Sequence, residues 1–125
     1  GSCGLTCGAP EDVANFTGLL AEFRKQLNAV RPGLLLTIAV GAGEDKIQPL
    51  QISQIAPSVD GVNIMTYDFF GGFDVDGPTA FHSALYAWSG MPSTTPVNHY
   101  YSDYAVQMWK QGGMPANKLR LGIGF

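Results

Sequence analysis

The chain has 125 residues, of which 46% are hydrophobic and 14% charged, a globular composition of single-domain size. Its formal net charge of −3 and pI near 5.1 exclude the basic field that nucleic acid or an anionic membrane surface selects. No apolar run reaches the roughly 18 residues of a membrane-spanning helix, and no signal-peptide pattern is present, which by itself leaves export undecided.

Gly1 to Ala9 reads as a Gly-rich loop holding both cysteines, Cys3 and Cys7. Their spacing suits a small disulfide ring in an exported protein, a pair of free thiols, or half of a metal site. The metal reading is weak because the only histidines, His82 and His99, lie far down the chain, so the disulfide is the expectation.

Pro10 suits a first helical turn, and Glu11 and Asp12 follow where the helix dipole favours negative charge. Val13, Phe16, Leu20, Phe23, Leu27 and Val30 recur at three and four, giving one apolar face, and Pro32-Gly33 ends the helix. Leu34 to Val40 reads as a strand, with Leu36, Ile38 and Val40 on one side and Thr37, Ala39 and Gly41 on the other. Small residues on that second side leave room for a ligand or for large neighbours on adjacent strands. Asp45 suits the N-cap of a short helix with Ile47, Leu50 and Ile55 inward, with Pro49 in its first turn or kinking it.

The stretch Asp60 to Asp74, DGVNIMTYDFFGGFD, carries the main signal. As a strand it alternates Val62, Ile64 and Thr66 with Asn63, Met65 and Tyr67, because successive strand side chains point to opposite faces. The β-branched side is a packing face; an amide, a thioether and a phenol together line a polar cavity better than they fill a core. Tyr67 and Asp68 fall at the carboxyl end, where parallel α/β folds build their sites.

From Phe69 to about Tyr100 no period is sustained, yet the stretch holds seven aromatics, Phe69, Phe70, Phe73, Phe81, Tyr86, Trp88 and Tyr100. A long loop of this composition is functional rather than disordered. Most of these rings are expected to anchor the loop, and a minority along a cleft would suit the apolar faces of sugars. Ser102 or Asp103 can cap a helix with Ala105, Met108 and Trp109 inward, ended by Gly112-Gly113. Pro115 to Lys118 then turns into a last strand, Leu119 to Phe125, where Leu119, Leu121 and Ile123 oppose Arg120, Gly122 and Gly124.

All three strands thus share one phase, aliphatic on the helix side and small or polar on the other. Alternating helices and strands imply a parallel α/β sheet with right-handed crossovers. No Gly-x-Gly-x-x-Gly or Walker-type loop follows a strand, which disfavours a nucleotide-binding open sheet.

Met65, Tyr67 and Asp68 form an M-x-Y-D core, and the segment around it resembles the sixth-strand motif of family 18 glycoside hydrolases, the chitinases. The run Thr37 to Gly43, the DKI at Asp45 to Ile47, the Phe-rich loop to Asp74 and LRLGIGF at Leu119 to Phe125 resemble successive pieces of the same barrel. The fold this implies is about half of a (β/α)8 TIM barrel, from the strand-4 loop to strand 7. A whole barrel needs roughly 250 residues, so the chain is expected to be a fragment of the catalytic domain.

The resemblance implies hydrolysis of β-1,4-N-acetylglucosaminide bonds of chitin with retention, the substrate's own acetamido group acting as nucleophile. By resemblance Tyr67 donates to the acetamido carbonyl, and Asp68 binds a sugar hydroxyl and tunes the catalytic acid. Met65 packs beneath the reactive sugar, Phe73 stacks on a sugar beyond the cleavage point, and Ala39 and Phe69 complete the expected substrate contacts. A secreted monomer binding chitin or N-acetylglucosamine oligosaccharides, without metal or organic cofactor, nucleic acid or membrane partner, is expected.

The family's D-G-x-D-x-D-x-E motif, which carries the general acid, is not in this sequence, so the isolated chain is expected to be inactive. A chitinase-like lectin lacking the acid is the alternative, and an unrelated small-molecule barrel enzyme a third.

Overall fold

The computed structural model of the chain describes residues 7–125, and of the expected disulfide pair Cys3 lies outside them. A long helix α1 (Asp12–Val30) leads into strand β1 (Thr37–Gly41), two one-turn helices α2 (Glu44–Ile47) and α3 (Ile52–Ile55), and strand β2 (Gly61–Met65). The long loop follows, containing one 3-10 turn (Val97–His99), then helix α4 (Ser102–Gln111), a second 3-10 turn (Ala116–Lys118) and strand β3 (Leu119–Leu121).

The strands form one parallel sheet in the order β1-β2-β3, so the parallel α/β expectation holds. Thr37 is registered with Gly61 and Gly41 with Met65, while Val62 pairs with Leu119 and Ile64 with Leu121. Parallel neighbours each need a crossover, and α2, α3 and α4 supply them on the same face of the sheet.

That face holds the core. Val62, Ile64, Ile55 and Trp109 have no exposed surface, and Ile38, Val40, Ile47, Ile52 and Ala105 are buried around them. The expected strand phase is therefore observed in β1 and β2. At β3 and just past it, the helix-side residues Leu121 and Ile123 remain 44% and 64% exposed, because no element among the described residues packs beyond them. Strand pairing there is also shorter than the expected run to Phe125, although Gly122 N–H still donates to Ile64 O at 2.8 Å.

Several local expectations are corrected. In α1 only Leu20 is buried, and Phe23 and Val30 are 49% and 78% exposed, since the helix packs against α3 and its far flank meets nothing among the described residues. Strand β1 starts at Thr37 rather than Leu34, because Leu36 is bonded to Asp60 instead of to a strand: Leu36 N–H donates to Asp60 Oδ2 at 2.7 Å and Asp60 N–H donates to Leu36 O at 2.7 Å. Gly43, not Asp45, occupies the N-cap of α2. Pro49 separates α2 from α3 instead of sitting in a first turn. Neither Ser102 nor Asp103 caps α4 with its side chain; the Ser102 hydroxyl donates instead to Ala84 O at 2.9 Å, fastening the helix start to the long loop.

One buried-edge latch ties these pieces together. Arg24 of α1 donates through Nε to Ser58 O and through Nη1 to Leu34 O, both at 2.9 Å, and its Nη2 pairs with Asp60. The guanidinium fork thereby joins α1 to the entries of β1 and β2. The Leu36 amide, followed by the Arg24 guanidinium, holds the Asp60 carboxyl below the usual aspartate range, against the opposing effect of burial. A lowered folded-state value means that this contribution is complete above the ordinary aspartate range and is lost as pH falls through the lowered value. In urea unfolding across a pH series, the stability advantage of the wild type over Asp60→Asn should be largest near neutrality and shrink below about pH 4. A difference that does not vary with pH contradicts this assignment.

Candidate active site

At the carboxyl ends of β1 and β2 the chain encloses an open cavity of about 380 Å³. Gly41, Ala42, Gly43 and Lys46 line it from the β1 side, and Met65, Tyr67, Asp68, Phe69, Phe70, Phe73 and Asp74 from the β2 side. Val97 and Tyr100 close it from the end of the long loop. The cavity lies where loops leaving parallel strands converge, as the strand direction requires.

The position of Tyr67 follows from its strand. Thr66 is fully buried on the helix side, and its hydroxyl donates to Gly122 O at 2.7 Å, so Tyr67 turns to the opposite face. There the chain just past β3 offers Gly122 and Gly124. A β-carbon built on Gly122 would lie 2.5 Å from Ile64 O and 2.8 Å from Tyr67 Cε1, and one on Gly124 would lie 3.0 Å from Tyr67 Cβ. The side chains missing from these two glycines are therefore the space the phenol ring occupies. His82 borders the same space, its Cε1 being 3.0 Å from that second position.

Asp68 has a φ of 56°, the one non-glycine residue with positive φ among those described. Such a backbone costs energy and persists only where its surroundings impose it. They do so through Phe69 N–H, which donates to His82 O at 2.9 Å, and Ser83 Oγ, which donates to Thr66 O at 2.7 Å. Among the described residues, neither the Tyr67 hydroxyl nor the Asp68 carboxylate has a hydrogen-bond partner. The ordinary structural duties of a strand-end Tyr and Asp, bonding to backbone and capping a turn, are unfilled here.

The β1 side carries a second polar cluster. His99 Nδ1 and Glu44 Oε2 are 2.7 Å apart, Tyr104 donates to Glu44 Oε1 at 3.0 Å, and the His99 and Tyr104 rings stack with centroids 4.1 Å apart. The bond from His99 holds the Glu44 carboxyl below its ordinary range, with Tyr104 adding to it against burial. Next to it Tyr100 donates to Asp45 Oδ1 at 2.9 Å, and Asp45 pairs with Lys46. Burial pushes the Asp45 carboxyl up, but Lys46 and Tyr100 outweigh it and the net shift is downward.

Of the residues singled out in the sequence, Met65, Tyr67, Asp68, Phe69 and Phe73 meet at this cavity. Phe73 is 69% exposed, whereas Phe69 is 6% exposed and packs against Tyr100. Ala39 does not join them; it lines an adjoining cavity of about 530 Å³ that shares Gly41, Lys46 and Met65. Tyr100 and Lys46 were not singled out as site residues. Tyr100 was one aromatic among seven in an aperiodic loop, and its distance from Asp45 in sequence gives no periodic signal.

Comparison with known proteins places this geometry among relatives. Residues 4–125 match the model of the glycosyl hydrolases family 18. The chain is 35% identical over 127 residues to chitinase 63 of Streptomyces plicatus, covering 99% of this chain and 20% of that protein. It therefore spans about a fifth of the length of the curated relatives it matches. Among solved structures, chitinase ChiA74 from Bacillus thuringiensis superposes with a TM-score of 0.80 at 36% identity, over 94% of this chain and 19% of that one. Catalytic domain 2 of the group II chitinase of Ostrinia furnacalis, solved with penta-N-acetylchitooctaose, gives 0.78 at 27% identity, over 93% of this chain and 28% of that one. The three parallel strands and their helices are thus a sector of a TIM-barrel fold.

The glycine space at β3 yields a direct test. Gly122→Ala should destabilise the protein by roughly 1–3 kcal/mol, the usual cost of overpacking, read from denaturant midpoints at constant m. An unchanged midpoint would mean that Gly122 does not approach Ile64 O and Tyr67 as closely as the structure has it.

Proposed function

Because the chain belongs to glycosyl hydrolase family 18, we propose that it forms the sector of a chitinase catalytic barrel from the strand-4 loop to strand 7 and carries part of the active site. The substrate is a β-1,4-linked N-acetylglucosamine polymer or oligosaccharide, cleaved with retention by substrate assistance. One observation carries this reading: the Tyr67 hydroxyl and the Asp68 carboxylate stand at one cavity with no protein partner among the described residues, flanked by Met65 and Phe73.

In such a reaction the acetamido carbonyl oxygen attacks its own anomeric carbon, so its orientation decides the rate. Tyr67 donates its phenolic hydrogen bond to that oxygen, holding it in line as charge develops on the acetamido group. Orientation and a preorganised donor are each worth several kcal/mol of barrier in general. Asp68 accepts from a sugar hydroxyl, and its charge sits where it helps keep a neighbouring acid protonated. Met65 supplies an apolar, polarisable floor beneath the ring, and exposed Phe73 offers a flat face to a sugar outside the cleavage position.

The proton donor to the leaving oxygen is assigned to the barrel strand ahead of α1, where the family carries its acidic motif. No residue of this chain is given that role, and none is asked to hold a metal or cofactor. Secretion and a monomeric state belong to the same reading.

The test is made on the full-length protein bearing this chain, with N-acetylchitooligosaccharides as substrate. Tyr67→Phe should lower kcat by roughly 10²-fold or more, as removal of one charge-stabilising donor does, while oligosaccharide binding and the thermal midpoint are retained. Unchanged turnover removes Tyr67 from the mechanism. A wild-type protein that binds these sugars without cleaving them supports the carbohydrate-binding lectin instead.

A further inference from the structure

The Tyr67-Asp68 turn is strained at Asp68 and is held by the bonds to His82 and from Ser83, and the packing around it identifies a further holder. Phe69 and Phe70, the two residues after Asp68, are each 6% exposed, and both rings pack against Tyr100 with centroids 5.9 and 5.8 Å away. Tyr100 comes from the far end of the long loop. Its hydroxyl reaches across the cavity to donate to Asp45 Oδ1 at 2.9 Å, in the helix that follows β1. Its ring also lies close over the N-cap of that helix, where a β-carbon on Gly43 would be 3.1 Å from Tyr100 Cε1. One side chain thus joins the loop after β1, the turn after β2 and the end of the long loop, and itself lines the cavity.

We propose that Tyr100, anchored by Asp45, is a positioning residue that holds the turn carrying Tyr67 and Asp68 against the cavity. The proposal rests on the glycosidase reading of that cavity and extends it to a residue outside the M-x-Y-D motif. Tyr100 does not touch the reacting atoms; it acts through Phe69 and Phe70 on one side and through Asp45 on the other. Burial, and then the Asp45 carboxylate, push the Tyr100 phenol up to about 12, so its hydroxyl remains a donor at any working pH. The Asp45 carboxyl is in turn held below its usual range by Lys46 and Tyr100 against the effect of burial, which keeps the acceptor ionised through the mildly acidic range. A tether of this kind leaves the affinity for a long sugar chain nearly unchanged and is felt in the near-attack geometry, where small displacements cost large factors in rate.

Four variants of the full-length protein decide the matter, assayed on N-acetylchitooligosaccharides with kcat and KM separated and thermal midpoints recorded. Tyr100→Phe keeps the ring and removes the tether; kcat should fall about tenfold with KM within about twofold. Asp45→Ala should reproduce that loss, and Asp45→Asn, which keeps an acceptor oxygen, should restore most of it. Tyr100→Phe combined with Asp45→Ala should be no worse than either single change, since both break one link. Wild-type kcat in Tyr100→Phe, or losses that multiply in the double variant, overturns the proposal while leaving the glycosidase reading intact. A wild type without hydrolysis overturns that reading, and this inference with it.

Discussion

Val62 and Ile64 of β2, and Thr66 beyond it, have no solvent-exposed surface, and this one-sided burial fixes the phase of the whole sheet. Slipping the strand by one residue would exchange faces, driving Asn63, Met65 and Tyr67 into an aliphatic core. Parallel pairing in register carries the phase to both neighbours: Ile38 and Val40 are buried beside it in β1, and Leu119 is half-buried in β3. Thr66 is the sole polar member of the buried set in β2 and the residue beyond it, and its bond to Gly122 O keeps that burial from being a liability. The same bond holds the end of β3 beside the end of β2, where the two glycines leave their space for the phenol of Tyr67.

The mouth above the sheet is held by polar contacts rather than by core. Glu44 with His99 and Tyr104, and Asp45 with Lys46 and Tyr100, fasten the end of the long loop and the start of α4 to the one-turn helix α2. A helix of four residues has little stability of its own, so its place depends on these partners and on the buried Ile47. Tyr100 serves both systems, pairing with Asp45 while covering Phe69 and Phe70. The cavity is thus built on a rigid strand end and walled by a loop whose geometry is set at a few charged bonds.

The sequence made the sheet legible because alternation of β-branched and polar residues is a local signal, and Val62, Ile64 and Thr66 state it without ambiguity. The family was legible in M-x-Y-D and the collinear runs beside it, and the family-model match is consistent with that resemblance. Helix caps were less legible. Asp45 and Ser102 are good capping residues whose side chains are engaged elsewhere, with Tyr100 and Ala84, and such tertiary competition leaves no mark on local spacing. The α1 face departs from its pattern for a related reason: periodicity identifies an apolar stripe, but burial of Phe23 and Val30 requires neighbours that the described residues do not include. Ala39 and Tyr67 share the open face of the sheet, yet they line adjoining cavities because Gly41, Lys46 and Met65 lie between them.

The central claim is that the open face at the end of β2 receives an N-acetylglucosamine unit with its acetamido group turned toward Tyr67. A crystal structure of the full-length protein with a bound N-acetylchitooligosaccharide tests it most directly. The account predicts the acetamido carbonyl oxygen within hydrogen-bonding distance of Tyr67 Oη and a sugar hydroxyl on Asp68. A sugar bound elsewhere on the barrel, or seated in this cavity with its acetamido group directed away from Tyr67, would contradict it.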